Sequence, residues 1–585
     1  MLNFIIRIDF EGLIEKEDIS LNINHKKISQ TLKVNTYQDE TIFLRHRGSD
    51  NDMCLSNLNG QKYFVYTSIF EEDRKIIRTK LKIKQGVIIS DAELMMALYL
   101  QHGKNGFDIM ANGFIFILLD YVKEKVFAFR DHIGIRNICY YMNGSSIYLS
   151  SSFKNLYDLK NKDFTLNITK IENFLNFNDS STSNTFINEI NKVPPSYLLQ
   201  FHNNKIEISP YLRYKLKKNL IPPDAQVFEL KELLKKSILI DKNGNYKKIG
   251  FLFSGGLDSS TIISFYRSFK KTKQDMFSFS AQYKNLSKDV LNLIDESEFQ
   301  NEINKYDDVN DIFFNGEDES TLSNIDFYLE IVGQPFFFPN LYLSNKAFSL
   351  AYENDVSLVM NGNDGDTVVS HGYEYLFELF LSLRWFRLYK EILSTSRVRK
   401  QSKKFIFKQI ILNQLSFGSF INKSAQKKHL KGITSSNHSK AIEVQSLLAN
   451  YYGIEERYPF YNKEVIEYCL SVSPHLKNKD GYSRYILREA IKGIVPEKIR
   501  KRVKKANLAH ALCLNFVNKD YKIIEDSLRK PNLVIKNIIN TDELRNAWDN
   551  LKKNPRKYAT RSTIPSKIFS FIVMNRWLDN FNKNN

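Results

Sequence analysis

The chain has 585 residues, of which 43% are hydrophobic, 25% charged and 13% aromatic, with 23 Gly and 13 Pro. These values exclude collagen-like, low-complexity and wholly disordered proteins, because the apolar fraction is ordinary for a globular protein and neither Gly nor Pro is in excess. The 84 Lys and Arg against 65 Asp and Glu give a net charge of +19, which favours acidic partners such as nucleotides, acidic peptides, nucleic acids or membrane surfaces without choosing among them.

The cysteines and the apolar runs indicate the cellular compartment of the protein. Without a CxxC pair or a Cys/His cluster, the cysteines predict neither a zinc site nor a disulfide framework. The first residues, MLNFIIRIDF, are interrupted by charges and predict a β-strand, not a signal sequence. Apolar runs such as FIFILL are far shorter than the ~18 residues of a membrane-spanning helix. We therefore expect a cytoplasmic protein without a membrane span. The cysteines are Cys54, Cys139, Cys469 and Cys513.

Up to about residue 210 the sequence predicts a β-rich domain, because short apolar runs alternate with turn residues: TIFLRH, KYFVYTSIF, GFIFILLDY, KVFAFRD, SIYLSSS and SYLLQFHN. One helix, DAELMMALYLQHG, interrupts them, and we expect Asp91 to cap it and Gly103 to end it. Pro222 and Pro223 then break the pattern before an amphipathic helix, VFELKELLKKSILI. We predict two domains, residues 1–215 and 225–585.

From residue 247 buried-type strands alternate with helices: KIGFLF, STIISFYRSFKK, MFSFSAQY, a helix near 296–305, and VSLVMNG. This alternation predicts a doubly wound α/β domain, in which helices cover both faces of a parallel sheet. The segment 397–431 is strongly basic and predicts a loop or the edge of a charged groove. Its interleaved Phe405 and Phe407 could stack on single-stranded nucleic acid, but such runs are more often solvated faces, and we expect no nucleic-acid partner.

The sharpest local motif is SGGLDSS, which lies between a hydrophobic strand and an amphipathic helix. Its glycines let the backbone wrap closely around an anion, and its hydroxyls and the helix amino terminus donate to phosphate oxygens. Asp258 would then hold a magnesium ion against the phosphates. Ser/Gly-rich turns also open helices that bind nothing, but the flanking strand and helix favour a phosphate loop. The predicted phosphate contacts are Ser254, Gly255, Gly256, Asp258, Ser259 and Ser260.

Longer segments carry a family resemblance. The loop lacks the Lys of G-x-x-x-x-G-K-[ST] and resembles the pyrophosphate loop of N-type ATP pyrophosphatases. VSLVMNGNDGDTVVSHG, GIEERYPFYN and DGYSRYILREAIKGIVPEKIRKRVKK are similar, in order, to the C-terminal domain of the asparagine synthetase family. SDAELMMALYLQHG, ANGFIFILLDYVKEKVFAFRDHIGIRNICYY and INKVPPSYLLQF resemble its N-terminal glutamine amidotransferase-like domain. The resemblance implies an Ntn-hydrolase-like α+β sandwich followed by a domain that uses ATP and Mg²⁺ to adenylate a carboxylate.

The resemblance also implies roles for single residues. It places the two magnesium carboxylates on Asp258 and Asp366. It places Glu455 where the family positions or deprotonates the attacking amine, although a structural ion pair is the plainer alternative. Lys504 falls where the family stabilises the leaving pyrophosphate and the acyl transition state, and a shift of one residue would exchange it with Lys505. The implied adenosine contacts are Leu252, Ala281, Asn361 and Gly362.

The first domain departs from the family. A glutamine-hydrolysing member needs a cysteine at its mature amino terminus, whereas this chain begins Met1-Leu2, so we expect no glutaminase activity. An adenylating half behind such a domain is what β-lactam synthetases and lasso peptide cyclases show, and GNDGDTVVSHGYEYLFELF most resembles the cyclases. This implies a precursor peptide, or a small substrate with both carboxylate and amine, that closes a macrolactam. A lasso cyclase implies a leader peptidase and a leader-recognition protein as partners.

Three other functions stay open from the sequence. Asparagine synthesis from free ammonia does not need the cysteine. A tRNA-modifying adenylating enzyme would share the phosphate loop and the basic charge, although the first domain and the absence of paired cysteines argue against it. Substitutions such as Asn361, Thr367 and Asn462 leave room for a binding scaffold without catalysis, but Asp258 and Asp366 are retained and favour an enzyme.

Overall fold

A computed structural model of the protein describes residues 4–8, 30–35, 41–46, 53–58, 61–84, 86–120, 123–159, 163–239, 246–270, 274–306, 308–412, 424–503, 505–560 and 562–584. Two antiparallel sheets form the first half of the chain, and a parallel sheet with many helices forms the second half. The predicted fold class, an α+β sandwich followed by a parallel α/β domain, is confirmed.

The first half contains the strands β1 Phe4–Ile8, β2 Gln30–Asn35, β3 Thr41–His46, β4 Met53–Leu58, β5 Gln61–Ser68, β6 Ile115–Asp120, β7 Lys125–Arg130, β8 Cys139–Asn143, β9 Ser146–Ser150, β10 Ile190–Lys192, β11 Tyr197–His202 and β12 Lys205–Pro210. Its helices are α1 Glu71–Lys80, α2 Asp91–His102, α3 Phe153–Tyr157 and α4 Ile168–Leu175, with a 3-10 helix at Gly103–Ile109. The predicted apolar runs lie in β3, β5, β6, β7, β9 and β11.

The second half contains the strands β13 Lys248–Leu252, β14 Asp275–Gln282, β15 Val309–Asn315, β16 Leu358–Asn361, β17 Glu455–Arg457, β18 Asn478–Lys479 and β19 Tyr482–Ser483. Its helices up to the basic segment are α5 Pro223–Ile238, α6 Leu257–Phe269, α7 Lys288–Ile294, α8 Ser297–Ile303, α9 Ile325–Val332, α10 Leu341–Glu353, α11 Gly365–Val369, α12 Tyr373–Leu381, α13 Trp385–Arg399, α14 Lys403–Ile410 and α15 Ala425–Ile433.

The remaining helices are α16 Ser436–Tyr451, α17 Lys463–Ser471, α18 Pro474–Lys477, α19 Tyr485–Ala490, α20 Glu497–Arg500, α21 Ala509–Asn518, α22 Tyr521–Arg529, α23 Leu533–Lys536, α24 Thr541–Lys553, α25 Pro555–Ala559 and α26 Ile564–Asn584, with a 3-10 helix at Pro459–Tyr461.

The two antiparallel sheets pack face to face, in the orders β10-β8-β9-β1-β3-β2 and β12-β11-β7-β6-β5-β4. Strand alternation divides the side chains of β5 between two cores. Phe64 and Tyr66 lie between the sheets, whereas Tyr63 and Val65 pack under α2. The outer face of the other sheet is covered by α3 and α4 and shares its apolar cluster with α9 and α26 of the second half. The result is an α/β/β/α sandwich.

The cap of α2 differs from the prediction. The N-cap is Ser90, not Asp91: the Ser90 hydroxyl accepts from the Glu93 N–H, and the Glu93 carboxylate accepts from the Ser90 N–H. Asp91 is the first helical residue, where its carboxylate pairs with Arg74 at 2.5 and 2.6 Å. Gly103 ends the helix, as predicted. The spacing S-x-x-E is the capping box, and it was readable in the sequence.

The parallel sheet has the order β15-β14-β13-β16-β17, and every neighbouring pair runs parallel. The chain therefore begins in the middle strand, builds to one side, and then returns to build on the other. Helices cover both faces: Leu358 and Met360 pack in the cluster of α5, α6 and α17, whereas Val359 packs in the cluster of α10. Such a sheet has its topological switch point between β13 and β16, where ligands of this class of fold bind.

The basic segment 397–431 is mostly helical where it is described, so the predicted loop is wrong there. It contains the end of α13, all of α14 and most of α15. Ile406 and Ile410 recur at helical spacing and are buried with α12 and α13. Residues 413–423 lie outside the described residues.

Within the described part of the chain, no helix is long and apolar enough to cross a membrane. The side chains of Cys139, Cys469 and Cys513 are buried as free thiols.

Candidate active site

The predicted site residues meet at the carboxyl edge of the parallel sheet. Leu252, the last residue of β13, pairs with Asn361, the last residue of β16, so the loops that follow these strands are neighbours. On the other side of β13, Ala281 lies near the end of β14, where its carbonyl accepts from Gln300 at 3.1 Å. The site therefore occupies the switch point that the strand order defines.

The phosphate loop requires its first glycine. Gly255 has φ +77°, and a Cβ there would lie 3.1 Å from the Glu296 carbonyl oxygen. The loop is closed by its own hydroxyls: the Ser254 Oγ accepts from the Gly256 N–H at 3.2 Å and lies 3.2 Å from the Ser259 Oγ. Helix α6 begins directly afterwards, so its amino terminus points at the loop and favours an anion there.

The β16 loop, residues 361–366, packs directly on the phosphate loop. A Cβ on Gly362 would lie 2.8 Å from the Ser259 nitrogen, and a Cβ on Gly365 would lie 2.8 Å from the Asp258 Oδ1. Only glycine allows this approach without displacing the neighbouring loop. The contact brings Asp258 close to the loop that carries Asp366.

Arg484 neutralises Asp258. It lies between β19 and α19, and one of its terminal nitrogens donates to both Asp258 carboxylate oxygens at 2.7 Å. Burial outweighs this favourable charge and raises the pKa of Asp258. Among the described residues, the buried Nε of Arg484 has no hydrogen-bond partner, so the guanidinium keeps a donor available at the site.

Asp366 lies in the first turn of α11 and contacts two basic side chains. Lys505 donates to its Oδ2 at 2.7 Å, and the His371 Nε2 lies 3.6 Å from the same oxygen. Burial alone would raise the pKa of Asp366, but the contacts with His371 and Lys505 and the charge of Arg484 outweigh it and hold the pKa well below its usual range.

The donor set fits a magnesium ion. Asp258 and Asp366 supply hard carboxylate oxygens from two loops that touch, and Mg²⁺ in nucleotide sites is usually held by one or two carboxylates together with substrate phosphates. Within the described residues there is no cluster of three or more His, Cys, Asp or Glu that could form an all-protein metal site.

The basic motif RKRVKK also reaches the site. Arg502 donates to the Gly255 carbonyl at 3.0 Å and forms an ion pair with Glu296, whose carboxylate also accepts from the Ala506 N–H at 3.3 Å. Arg502 thus ties the motif to the phosphate loop, and Glu296 connects Arg502 with Ala506. Lys504 lies outside the described residues, and its catalytic role stays a prediction.

Glu455 lies away from the phosphate loop. It is the first residue of β17 and pairs with Leu358 at the start of β16, at the amino end of the strands. Its carboxylate accepts from Tyr246 at 3.0 Å and from Arg457 at 2.7 Å. Burial would raise the pKa of Glu455, but Arg457 and Arg136 outweigh it and lower the pKa. The structure therefore does not bring Glu455 next to the predicted carboxylates, and its catalytic role stays a prediction.

The neighbouring residue Glu456 points to the opposite face and supports the β16 loop. Its Oε1 accepts from the Asn361 amide at 2.7 Å and from the Gln445 amide at 2.9 Å, and its Oε2 accepts from the Tyr458 hydroxyl. Gln445 in turn accepts from the Asn363 amide at 2.8 Å. Burial raises the pKa of Glu456 to about 7.

Asp364, within the β16 loop, contacts two further polar side chains. Asp364 has φ +58° and its Oδ2 accepts from the Tyr461 hydroxyl at 2.6 Å and lies 3.2 Å from the His438 Nδ1. Burial would lower the pKa of His438, but the contact with Asp364 outweighs it and raises the pKa. Asn462 follows Tyr461 in the sequence. It caps α17, and its side-chain amide donates to the Asn112 side chain of the first half at 3.2 Å. The loop is thus tied to the interface between the two halves.

The structure therefore brings together most of the predicted site and adds residues that the sequence did not single out. Arg484, Glu456 and Arg502 are the additions, and no local pattern distinguishes them from other charged residues of their segments. The predicted residues at the carboxyl edge are Leu252, Ser254, Gly255, Gly256, Asp258, Ser259, Ser260, Ala281, Asn361, Gly362 and Asp366.

Two family profiles match the chain. The one described as asparagine synthase matches residues 229–579, and the one described as a glutamine amidotransferase domain matches residues 74–212. The first match covers more than half of the chain. The chain belongs to the asparagine synthase family. Members of this family are ATP-dependent carbon–nitrogen ligases, usually with Mg²⁺, and this chain is such a ligase.

Curated relatives are distant in sequence. The glutamine-hydrolysing asparagine synthetase 1 of Bacillus subtilis (strain 168) is 20% identical over 71% of this chain and 70% of its own length. A putative glutamine-hydrolysing asparagine synthetase 2 of Methanocaldococcus jannaschii is 28% identical over 48% of this chain. The matched region spans about half (53%) of that relative's length. A solved structure of glutamine phosphoribosylpyrophosphate amidotransferase from Bacillus subtilis aligns with 37% of this chain and 47% of its own chain. The sequence identity is 11% and the TM-score is 0.23.

Proposed function

We propose that this ligase uses ATP and Mg²⁺ to adenylate a carboxylate of a peptide and that an amine of the same peptide then closes a macrolactam, as in lasso-type peptides. The observation that carries the adenylation step is the pair of carboxylates Asp258, in the phosphate loop after β13, and Asp366, at the end of the β16 loop, on the two sides of the switch point. Arg484 donates to Asp258 and Lys505 donates to Asp366, and Arg502, in the same basic motif as Lys505, donates to the Gly255 carbonyl of the phosphate loop.

The chemistry balances without an external nitrogen source. A substrate carboxylate oxygen attacks the α-phosphorus of ATP, the bond from that phosphorus to the bridging oxygen breaks, and pyrophosphate leaves. The substrate amine then attacks the acyl carbon, loses a proton, and displaces AMP. Asp258 and Asp366 would hold a bound Mg²⁺, which would supply positive charge to the phosphates. Arg484 and Lys505 would bind the phosphate oxygens and offset the charge that accumulates on pyrophosphate.

The first half of the chain supports an amine already present in the substrate. Within the described side chains of that half, the one cysteine, Cys139, is fully buried. Burial raises the pKa of its thiol to about 12, which disfavours the thiolate needed to attack glutamine. The sequence resemblance of GNDGDTVVSHGYEYLFELF to lasso peptide cyclases supports a peptide as substrate. Under this proposal a leader peptidase and a leader-recognition protein act with the enzyme.

Asparagine synthesis is the second candidate, and the names of the curated relatives are consistent with it. In that reaction aspartate is adenylated and ammonia is the attacking amine. The two candidates share the adenylating site and differ in the carboxylate that is adenylated and the amine that attacks it. Only a test with both sets of substrates therefore distinguishes them.

The deciding experiment measures pyrophosphate release by the purified full chain with ATP and Mg²⁺. One arm contains aspartate and ammonium, and the other contains the leader-cleaved peptide encoded beside this gene. We expect release with the peptide and a product lighter by one water. Release only with aspartate and ammonium would overturn the macrolactam proposal and establish asparagine synthesis. The Asp258→Asn variant is the control, because it should abolish release in either arm.

A further inference from the structure

A surface outside the active site combines projecting apolar side chains with concentrated positive charge. We call it the α13 tip and define it as residues 382–390, the turn before α13 and the first turns of that helix. Leu383 is 70% exposed, Trp385 49% and Phe386 86%. Exposed apolar side chains are ordinary when single, but a cluster at one tip marks an interaction surface.

The tip is held on a packed support. Helices α12, α13 and α14 share their own apolar cluster, which includes Leu376, Leu388 and Ile406. Trp385 packs edge-on against Phe380, with ring centroids 5.1 Å apart and planes at 85°. The exposed side chains are therefore presented by a small helical unit with its own core.

The charge around the tip is predominantly positive, with the acidic Asp480 of a neighbouring segment beside Glu391. Between residues 382 and 412 the chain has nine Lys and Arg and a single acidic residue, Glu391, which is partly buried. Arg384, Arg387 and Lys390 lie within the tip itself and are exposed, and Lys403 of α14 lies over the Tyr389 ring. An anionic surface complements this face.

We propose that the α13 tip docks the protein on the surface of an anionic lipid bilayer. Leu383 and Phe386 would lie at the boundary between headgroups and acyl chains, and the surrounding Arg and Lys would contact lipid phosphates. Trp, Phe and Leu beside Lys and Arg are the composition of helices that lie in this interface.

The shape of the tip favours a bilayer over other anionic partners. Phe386 projects with 86% of its surface exposed, and a bilayer accepts a projecting side chain without a complementary pocket. Single-stranded nucleic acid would need flat rings on which bases stack. Leu383 has no such face, Trp385 packs against Phe380, and Lys403 lies over the Tyr389 ring, so the tip offers Phe386 as a single ring and not a row of them.

The test is sedimentation of the full chain with vesicles of phosphatidylcholine alone and of phosphatidylcholine with phosphatidylglycerol. We expect binding to the anionic vesicles only, weakened by salt. Phe386→Ser should lower the partition coefficient about tenfold, because its apolar area no longer leaves water. The double variant Arg384→Gln/Arg387→Gln should lower it about 25-fold, at about fivefold for each basic side chain.

Matched controls lie on other faces of the protein. Phe228→Ser removes a phenylalanine that is 62% exposed on α5, and Lys522→Gln/Lys530→Gln removes two exposed charges near α22. Thermal melting checks that every variant is folded. Equal binding to neutral and anionic vesicles, or equal loss in the tip and control variants, would overturn the proposal. Binding of oligothymidylate that Phe386→Ser abolishes, without vesicle binding, would assign the tip to nucleic acid instead.

Discussion

One guanidinium nitrogen of Arg484 donates to both carboxylate oxygens of Asp258 at 2.7 Å, across 226 residues of sequence. Asp258 belongs to the phosphate loop, whereas Arg484 precedes α19 with φ +55°, so the contact joins two distant segments of the second half. Both side chains are largely buried. A buried charge without its partner is costly, so the two residues should depend on each other for stability as well as for nucleotide binding.

Replacing Arg484 should therefore destabilise the fold. Arg484→Met leaves the Asp258 carboxylate buried without its cation, and we expect a loss of about 3 kcal/mol in the free energy of unfolding. The double variant Arg484→Met/Asp258→Asn should lose less than the single variant, because no unpaired charge remains. Denaturant unfolding of both variants measures this coupling. Additive losses would contradict a direct interaction.

Asp258 should be essential for adenylation. Asp258→Asn keeps the size of the side chain but removes the negative charge that complements Mg²⁺, and we expect kcat/KM for ATP to fall at least about 100-fold. Asp355→Asn is the matched control, because Asp355 is an exposed carboxylate paired only loosely with Lys248 at 3.5 Å. Pyrophosphate release measures both variants. A similar decrease in the two would show that charge loss alone, and not the site, is responsible.

Substitutions of Lys504 and Lys505 should affect different kinetic constants. We predict that Lys504→Met lowers kcat about 1000-fold, because Lys504 is the residue expected to stabilise the transition state. Lys505→Met should mainly raise KM for ATP, since Lys505 is bound to Asp366 and is 76% exposed. Lys501→Met is the control on the same segment, with an exposed lysine that pairs with Glu497. If Lys505→Met is the variant that loses kcat, the assignments of the two lysines are exchanged.

Several features could be predicted from the sequence because they depend on neighbouring residues. The strands and helices around the phosphate loop follow from local periodicity, and SGGLDSS carries its own anion-binding chemistry. The close approach of the β16 loop follows from its glycines, Gly362 and Gly365. The cap of α2 was also readable, since Ser90 and Glu93 have the spacing of a capping box. In the basic segment the charges obscured the helical spacing of Ile406 and Ile410.

Other features depend on tertiary placement and could not be predicted. Arg484 acquires its role only when α19 packs beside the phosphate loop. The two consecutive glutamates Glu455 and Glu456 point to opposite faces of β17, because side chains alternate along a strand. Which of them faces the β16 loop depends on register and strand order, which no local pattern reveals. The domain boundaries 1–215 and 225–585 and the role of Glu455 stay predictions.

The buried Glu456 carboxylate should also support ATP binding. Its carboxylate oxygens accept from Asn361, Gln445 and Tyr458. Glu456→Gln places an amide NH₂ against one of these donors, so the β16 loop loses a hydrogen bond. We therefore expect KM for ATP to rise about tenfold, which corresponds to the loss of one hydrogen bond to a charged group. Glu464→Gln, at a partly exposed carboxylate that pairs with Lys236, should leave KM unchanged.

The same substitution should change the pH dependence of stability. Burial raises the pKa of Glu456 from 4.5 to about 7, so the folded state binds more protons than the unfolded state between these values. The free energy of unfolding of the parent chain should therefore fall, relative to Glu456→Gln, as pH rises from about 4.5 to 7, by about 3 kcal/mol in total. Asp73, whose pKa burial raises to about 7, is present in both proteins, so its contribution cancels in the difference. Denaturant unfolding across this range measures the difference, and parallel curves would mean that Glu456 is ionised throughout.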